Sequence, residues 1–120
     1  MNTQSIPIFP TRIPRVIGPA DQIDVNTISA VFTAFAGRIP LKVIQDLLEA
    51  IRDNSVVVCS YKQRHKSPTP MCLFPDSLYF TRNGKLICRA YSTRQRMWGE
   101  FRCDRLFGTH LLSTPEATIV

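Results

Sequence analysis

The chain has 120 residues, of which 44% are apolar and 20% are charged, and it carries a net charge of +6. This length suits a single domain, and the apolar fraction is too high for a disordered tail. No apolar run approaches the roughly 18 residues that a membrane-spanning helix needs, and the N-terminus lacks the pattern of a signal peptide. We therefore expect a soluble, cytoplasmic protein with a packed core.

The positive charge is concentrated in the second half of the chain. Residues 1–53 contain equal numbers of acidic and basic side chains, so the whole net charge of +6 falls in residues 54–120. An anionic partner is therefore expected to bind the second half.

Prolines interrupt the N-terminal segment IPIFPTRIPRVIGP at short intervals. Proline fixes φ and lacks an amide donor, so residues 1–22 are predicted to form an extended arm. Apolar residues lie between the prolines, which indicates that the arm lies against its own domain or against a partner chain.

Two amphipathic helices are predicted after the arm. The first lies in residues 23–38, between an N-cap at Asp24 and a C′ glycine at Gly37, and is a possible dimerisation element. The second, LKVIQDLLEAIR, begins at Pro40. Its exposed charges cancel, which argues against a DNA recognition helix and favours packing on a sheet or a partner subunit. Because the arm and helices carry more apolar surface than a small barrel covers, we also expect a homodimer.

After residue 54 the apolar period changes to two, which is typical of strands. The first predicted strand covers residues 56–61. Two short apolar runs follow at residues 71–74 and 78–80, separated by Pro75. A last strand is predicted over roughly residues 98–106. Asn83-Gly84 predicts a hairpin with a type I′ turn. The predicted fold class is α+β, with one or two helices before a small antiparallel sheet or partly open barrel of four or five strands.

Four cysteines at separations of 13, 16 and 15 residues lie within the apolar runs. They contain no C-x2-C pair, so core packing is favoured over a zinc site or disulfides, which remain the alternatives. His65 and His110 belong to no catalytic motif, and no glycine-rich phosphate loop is present. We expect no enzymatic activity, no metal and no cofactor.

Basic residues alternate with aromatic residues along the predicted strands and loops. Arginine binds phosphates and aromatic rings stack on bases, so this mixture indicates a nucleotide or nucleic acid ligand. Strand parity places Arg89 with Ile87 and Tyr91, and Arg105 with Phe101 and Cys103. An arginine in phase with apolar neighbours is costly to bury unpaired, which favours these two arginines for phosphate contacts. Two tyrosines would supply stacking or pocket walls, and the loop cations an outer basic surface. The candidate ligand-binding residues are Tyr61, Lys62, Arg64, Lys66, Arg89, Tyr91, Arg94, Arg96 and Arg105.

The order of these motifs resembles the WYL domain of bacterial transcription regulators, particularly those associated with phage defence. The resemblance covers residues 41–106 and rests on the helix LKVIQDLLEAIR, the strand VVVCSY, the stretch FPDSL, the strand KLICRAY and the segment WGEFRCDRL. It implies an Sm-like, SH3-type barrel in residues 39–108, with residues 109–120 as a tail. It also implies a ligand-sensing, dimer-forming module whose ligands are nucleotides or nucleic acid fragments.

The chain departs from the family pattern at positions that the resemblance places in the ligand pocket: Gln63, Met71, Asp76 and Leu86. The leading hypothesis is a non-enzymatic regulatory module of a defence or mobile-element system that binds an anionic nucleotide or nucleic acid. A DNA-reading part would come from a partner protein or domain. The alternative is a stand-alone interaction module, encoded by a phage or mobile element, that binds a host regulator or defence protein without a small ligand.

Overall fold

A computed structural model describes residues 16–18, 21–36 and 38–112. Most of the predicted arm and residues 113–120 of the predicted tail lie outside these residues. The described end of the arm forms a short strand, β1 (Val16–Ile17), which pairs antiparallel with a later strand at Leu78 and Tyr79. This part of the arm therefore lies on its own domain.

The first helix, α1 (Val25–Ala36), begins where the sequence predicts. The Asp24 carboxylate accepts hydrogen bonds from the Thr27 amide at 3.2 Å and the Thr27 hydroxyl at 2.9 Å, which satisfies an otherwise unpaired donor of the first turn. These bonds lower the pKa of Asp24. The predicted C′ residue Gly37 lies outside the described residues. The helix buries Ile28, Ser29 and Phe32 completely or almost completely.

The second helix, α2 (Leu41–Asp53), follows Pro40 directly and ends at Asn54, whose amide bonds to the Ala50 carbonyl. The left-handed backbone of Asn54 then brings the Ser55 amide to the same carbonyl at 2.9 Å. Six of its residues are buried, namely Val43, Ile44, Leu47, Leu48, Ala50 and Ile51. The apolar faces of the two helices thus pack on each other and on the sheet, with Leu41 left exposed. Homodimerisation stays a prediction.

A polar clamp joins α2 to the last strand of the sheet. The Asp46 carboxylate accepts hydrogen bonds from the Lys42 ammonium at 2.6 Å and the Thr109 hydroxyl at 2.8 Å. Lys42 also donates to the Thr109 carbonyl at 2.8 Å. Because Thr109 is buried, its hydroxyl depends on this carboxylate for a partner.

Replacement of Asp46 by alanine is therefore expected to lower the free energy of unfolding by about 1–3 kcal/mol, the cost of leaving a buried hydroxyl unpaired. Urea unfolding followed by circular dichroism measures the loss. Glu49→Ala on the same helix is the control and should change stability by less than about 0.5 kcal/mol. Equal losses in the two variants would contradict a specific role for the clamp.

The sheet is antiparallel and consists of β2 (Val56–Tyr61), β3 (Thr69–Phe80), β4 (Leu86–Ser92), β5 (Met97–Arg102) and β6 (Leu106–Leu112). The strand order is β5-β4-β3-β2-β6, and β1 pairs with β3 outside this path. The α+β class is confirmed. Among the described strands β5 and β6 do not pair, so the barrel is not closed.

Strand β3 combines the two runs that the sequence separates at Pro75. A bulge makes this possible, since Pro75 pairs with Ala90 and Ser77 with Arg89, which leaves Asp76 as the extra residue. Proline is tolerated beside a bulge because the ladder is already interrupted there. The bulge keeps the apolar residues on both sides of Pro75 on the buried face.

The Asn83-Gly84 hairpin joins β3 to β4 as predicted, but its turn is not type I′. Only Gly84 has a positive φ, of 81°. The Gly84 amide bonds to the Thr81 carbonyl, and the Thr81 amide bonds to the Lys85 carbonyl. This pattern is a longer turn that ends in a left-handed glycine, which also matches the twist of the strands.

The strand predicted over residues 98–106 is two strands. Strand β5 ends at Arg102, a 3-10 turn (Cys103–Arg105) follows, and β6 begins at Leu106. The turn carries the chain across the end of the sheet, because β6 pairs with β2 and not with β4. The shared face predicted for Phe101, Cys103 and Arg105 is therefore wrong, since these residues do not lie on one strand.

The four cysteines are free thiols, with Cys59, Cys88 and Cys103 buried and Cys72 half-buried. Burial raises the pKa of Cys59 to about 12 and also raises the pKa values of Cys88 and Cys103. Core packing is thus their role in this structure. No helix in the described ranges is long and apolar enough to cross a membrane.

Candidate functional site

The faces of β4 have opposite characters. Cys88, Ala90 and Ser92 are fully buried on the inner face. Arg89 lies with Ile87 and Tyr91 on the other face, as parity predicts, and its side chain is 44% exposed. That shared face is the outer one, so Arg89 does not incur the free-energy cost of burying an unpaired charge.

Arg89 is held by two neighbours. Its Nη1 donates a 2.7 Å hydrogen bond to the carboxylate of Asp76, the extra residue of the β3 bulge. Its guanidinium carbon lies 4.4 Å from the ring centroid of Trp98 on β5, a cation–π contact. The ladder also places Glu100 opposite Arg89. Two carboxylates near one guanidinium make this part of the surface less positive than the sequence alone indicates.

An aromatic pair continues this surface toward the end of the sheet. Tyr91 packs edge-on against Trp98, with ring centroids 5.8 Å apart. Trp98 is 49% exposed, so much of its ring is accessible to a stacking partner. Our sequence-based selection omitted Trp98. The available signal was its position, two residues after Arg96 and four after Arg94.

Tyr61 occupies a different environment from Tyr91. It is buried at the end of β2 with 7% of its surface exposed, and its ring packs edge-on against Phe101 at 5.2 Å. Its hydroxyl accepts a hydrogen bond from the Arg102 amide at 3.2 Å. The structure therefore places Tyr61 in the core, where it connects β2 to β5.

Two basic loops lie at the same end of the sheet. Strands β2 and β4 both run toward this end, which carries the loop 62–68 after β2 and the loop 93–96 after β4. Tyr61, the last residue of β2, pairs with Thr69 of β3. The amide of Thr93, the first residue of the loop after β4, bonds to the Cys72 carbonyl of the same strand. A separation of three residues corresponds to about 10 Å along a strand. The loops bring together Lys62, Arg64, Lys66, Arg94 and Arg96.

Each loop has a defined backbone. The Lys62 ammonium donates to the carbonyls of Gln63 and Lys66, and the Lys66 amide bonds to the Gln63 carbonyl. The Arg96 amide bonds to the Ser92 carbonyl at 2.8 Å, with Arg96 itself at a φ of 56°. The side chains of Arg64, Arg94 and Arg96 are exposed, so these three cations are available to an anionic ligand.

Arg105 belongs to the basic end and not to the surface around Arg89. It ends the 3-10 turn, and its carbonyl accepts the Lys62 amide at 3.0 Å. Its side chain is half-buried. The two arginines selected by parity therefore have different surroundings: Arg105 lies beside the first loop, and Arg89 lies in the middle of β4 with Asp76 and Trp98.

The structure offers no grouping of three metal-ligating side chains in the part of the chain that it describes. The chemistry available at this end is cationic and aromatic. It can attract an anion and stack on a flat ring.

The WYL domain family matches residues 42–110, which is more than half of the chain. The chain belongs to the WYL domain family. The match begins at the second residue of α2 and ends within β6, so α1 and β1 lie outside it. No curated protein sequence matches this WYL protein.

Two solved structures resemble this WYL domain in fold. One is described as a CRISPR Cas-related protein, with 16% identity and a TM-score of 0.53 over 65% of this chain and 24% of the other. The second is the proteasome accessory factor B/C (PafBC) of Arthrobacter aurescens, with 18% identity and a TM-score of 0.52 over 86% of this chain and 15% of the other. This chain thus spans a quarter or less of the length of either structure.

The positions where this WYL domain departs from the family pattern have varied surroundings. Met71 and Leu86 are buried, Gln63 is half-buried in the first basic loop, and Asp76 binds Arg89. Asp76 therefore brings a negative charge next to Arg89 on the outer face of β4.

Proposed function

We propose that this WYL domain is a non-enzymatic regulatory module that binds single-stranded nucleic acid at its basic end. The observation that carries the proposal is that two loops, distant in sequence, place their exposed cations at one end of the sheet next to the accessible ring of Trp98. Cations that follow a phosphate backbone and an aromatic ring that stacks on a base are the two components of single-strand binding.

The residues divide between these two components. Arg64, Arg94 and Arg96 contact phosphates, together with Lys66 and Arg105. Lys62 joins them after its ammonium releases the carbonyls of Gln63 and Lys66. Trp98 stacks on a base, supported by Tyr91. Arg89 contributes by holding the indole ring and by contacting a phosphate when Asp76 releases it. Tyr61 supports the site from the core.

The biological setting is proposed from the family and its structural neighbours. The resemblance is to regulators of transcription, and one neighbour is described as CRISPR Cas-related. We propose a regulatory role in a defence or mobile-element system, in which a partner protein or domain supplies recognition of DNA sequence.

A salt-dependent titration tests the proposal. Unlabelled oligo(dT) should quench the fluorescence of Trp98, which is the single tryptophan of the chain and lies at the proposed stacking position. With about four phosphate contacts, the logarithm of affinity should fall with the logarithm of salt concentration at a slope of about −3. Absence of quenching at low salt, or a slope near zero, would contradict the proposal.

Matched variants locate the site. Arg94→Gln with Arg96→Gln should weaken binding and reduce the salt slope by about 1.4, since each phosphate contact to a single strand contributes about 0.7. Arg52→Gln with Arg82→Gln removes the same charge from α2 and from the β3–β4 hairpin, and should leave the slope nearly unchanged. Equal effects of the two pairs would indicate a general charge effect and no site at this end.

A protein-binding function is the second candidate, and the edge strand β5 favours it. Met97 and Trp98 are 57% and 49% exposed at the start of β5, and β5 pairs only with β4 among the described strands. Exposed apolar side chains on an open edge can bind a protein strand. A stoichiometric protein partner, together with no response to oligo(dT), would support this function over the first.

A further inference from the structure

A cleft of about 500 Å³ lies where β4 begins and β5 ends, at the opposite end of these two strands from the loop 93–96. It is formed by three segments: the α1–α2 connection with Arg38 and Ile39, the β3–β4 hairpin with Lys85 and Leu86, and the end of β5 with Arg102 and Asp104. Strand β4 begins at this cleft, whereas the loop 93–96 follows the end of β4. None of the residues assigned to nucleic acid binding lines it.

The charged side chains of the cleft are mainly cationic. Three are basic and one is acidic, which gives the lining a net charge of +2. The Asp104 carboxylate holds Arg102 through two bonds, from Nε at 3.0 Å and from Nη2 at 2.6 Å. Arg38 and Lys85 are exposed and form no ion pair within 4 Å with the residues that the structure describes. Lys85 also interacts with Asp104 over a longer distance, since it adds to the lowering of the Asp104 pKa that Arg102 mainly causes. Neither cation is held in a direct ion pair, so both can contact a ligand.

Arg102 is preorganised to support these two cations. A guanidinium has five N–H donors in a rigid plane, and the Asp104 pairing uses only its Nε and Nη2 edge. Among the described residues no hydrogen-bond acceptor contacts its Nη1, which can therefore donate to a ligand. Since Asp104 and Arg102 are two residues apart at the start of the 3-10 turn, the pair is fixed by local backbone geometry.

Apolar groups form another part of the same cleft. Ala36, Ile39 and Leu86 contribute to its lining beside the charged groups. Sites with an apolar wall and a few convergent polar groups are typical of small-molecule binding. Their volumes begin at roughly 300 Å³, so this cleft can hold a molecule that combines one phosphate group with one ring system.

We propose that this cleft is a second ligand site, which binds a small phosphate monoester of the size of a nucleoside monophosphate. Arg38, Lys85 and the free edge of Arg102 bind the phosphate, Asp104 positions Arg102, and the apolar wall contacts the remainder of the ligand. The lining of this site shares no residue with the proposed nucleic acid surface, although Arg105 of that surface directly follows Asp104. The proposal does not depend on the nucleic acid surface.

The test is an NMR titration of the full, ¹⁵N-labelled chain with AMP and, separately, with adenosine. AMP should shift the amide signals of Gly84, Lys85, Leu86 and Asp104, whereas adenosine at the same concentration should not, because the phosphate supplies the attraction. Shifts that are confined to the loops 62–68 and 93–96 would overturn the proposal. So would equal responses to AMP and adenosine, or no response to AMP at about 10 mM.

Charge-matched variants separate the cleft from general electrostatics. Arg38→Gln with Lys85→Gln should weaken AMP binding by about tenfold or more, the effect expected for loss of charged hydrogen bonds to a phosphate. Arg94→Gln with Arg96→Gln should change it by less than about twofold. Both pairs are exposed, and an unchanged amide spectrum verifies the fold of each. Equal weakening in the two pairs would overturn the assignment.

Discussion

Replacement of Phe32 by alanine is expected to lower the free energy of unfolding by about 3–5 kcal/mol, the usual cost of removing a fully buried aromatic ring. Phe32 has no exposed surface, and its ring packs edge-on against Phe80 of β3 with centroids 5.0 Å apart. The truncation leaves a cavity between α1 and the sheet. Because small domains have only about 5–15 kcal/mol of stability in total, the loss is a large part of it.

Urea and thermal unfolding measure the effect of Phe32→Ala. Leu41→Ala, at an exposed apolar position of α2, should change stability by less than about 0.5 kcal/mol, and Phe32→Leu should lose less than Phe32→Ala because it leaves a smaller cavity. A loss below about 1 kcal/mol in Phe32→Ala would show that α1 is not part of the cooperative core. The result matters because α1 lies outside the family match at residues 42–110.

The buried cysteines are expected to react with a thiol reagent at least about 10³-fold more slowly than Cys72 in the native protein. Cys59, Cys88 and Cys103 are buried, whereas Cys72 is half-buried, and burial raises the pKa values of those three thiols. The thiolate is the reactive form. A thiol that reacts only on global unfolding is protected by the unfolding equilibrium constant, which is about 10³ or more.

Mass spectrometry of quenched alkylation reactions measures this protection at each cysteine. The native protein should add one label quickly and three slowly, and Cys72→Ala should remove the fast label alone. All four cysteines should react at similar rates in urea. Fast labelling of Cys59, Cys88 or Cys103 in the native state would contradict the burial of these three thiols in the core.

The regular part of the fold could be predicted because it depends on local patterns. Asp24 has a side chain suited to an N-cap, and it caps α1. The β-branched segment at residues 56–61 alternates as a strand does, and β2 has these bounds. Asn83-Gly84 located the hairpin even though its turn type was different, because a glycine in the left-handed region is needed in either turn.

The irregular parts of the fold depend on contacts between segments that are distant in sequence. The periodicity of apolar residues carries no information about such contacts. The bulge at Asp76 is selected by pairing with β4, so Pro75 did not end the strand as expected. The 3-10 turn after Arg102 interrupts a run that alternates well enough to be one strand. Parity grouped Arg89 with its neighbours correctly but could not show which face was buried, because Ile87 and Cys88 are both apolar.

The candidate sites show the same division. The cations of the two loops could be selected from the sequence because charge is a property of the residue. The pairing of Arg89 with Asp76, 13 positions earlier, required the register of β3 and β4. The cleft could not be anticipated, since Arg38 and Ile39, residues 84–86, and Arg102 with Asp104 meet only in the folded chain.

The short strand β1 has a practical consequence for the attachment of tags and fusion partners. It pairs with Leu78 and Tyr79, and a side chain at Gly18 would come within 3.9 Å of the Asp76 carbonyl. We therefore expect a bulky group attached before Val16 to disturb the part of β3 that carries Asp76, the partner of Arg89. Attachment beyond Leu112 follows β6, which β2 and β3 separate from β4 in the strand order. Reporters for binding assays belong on the C-terminal side.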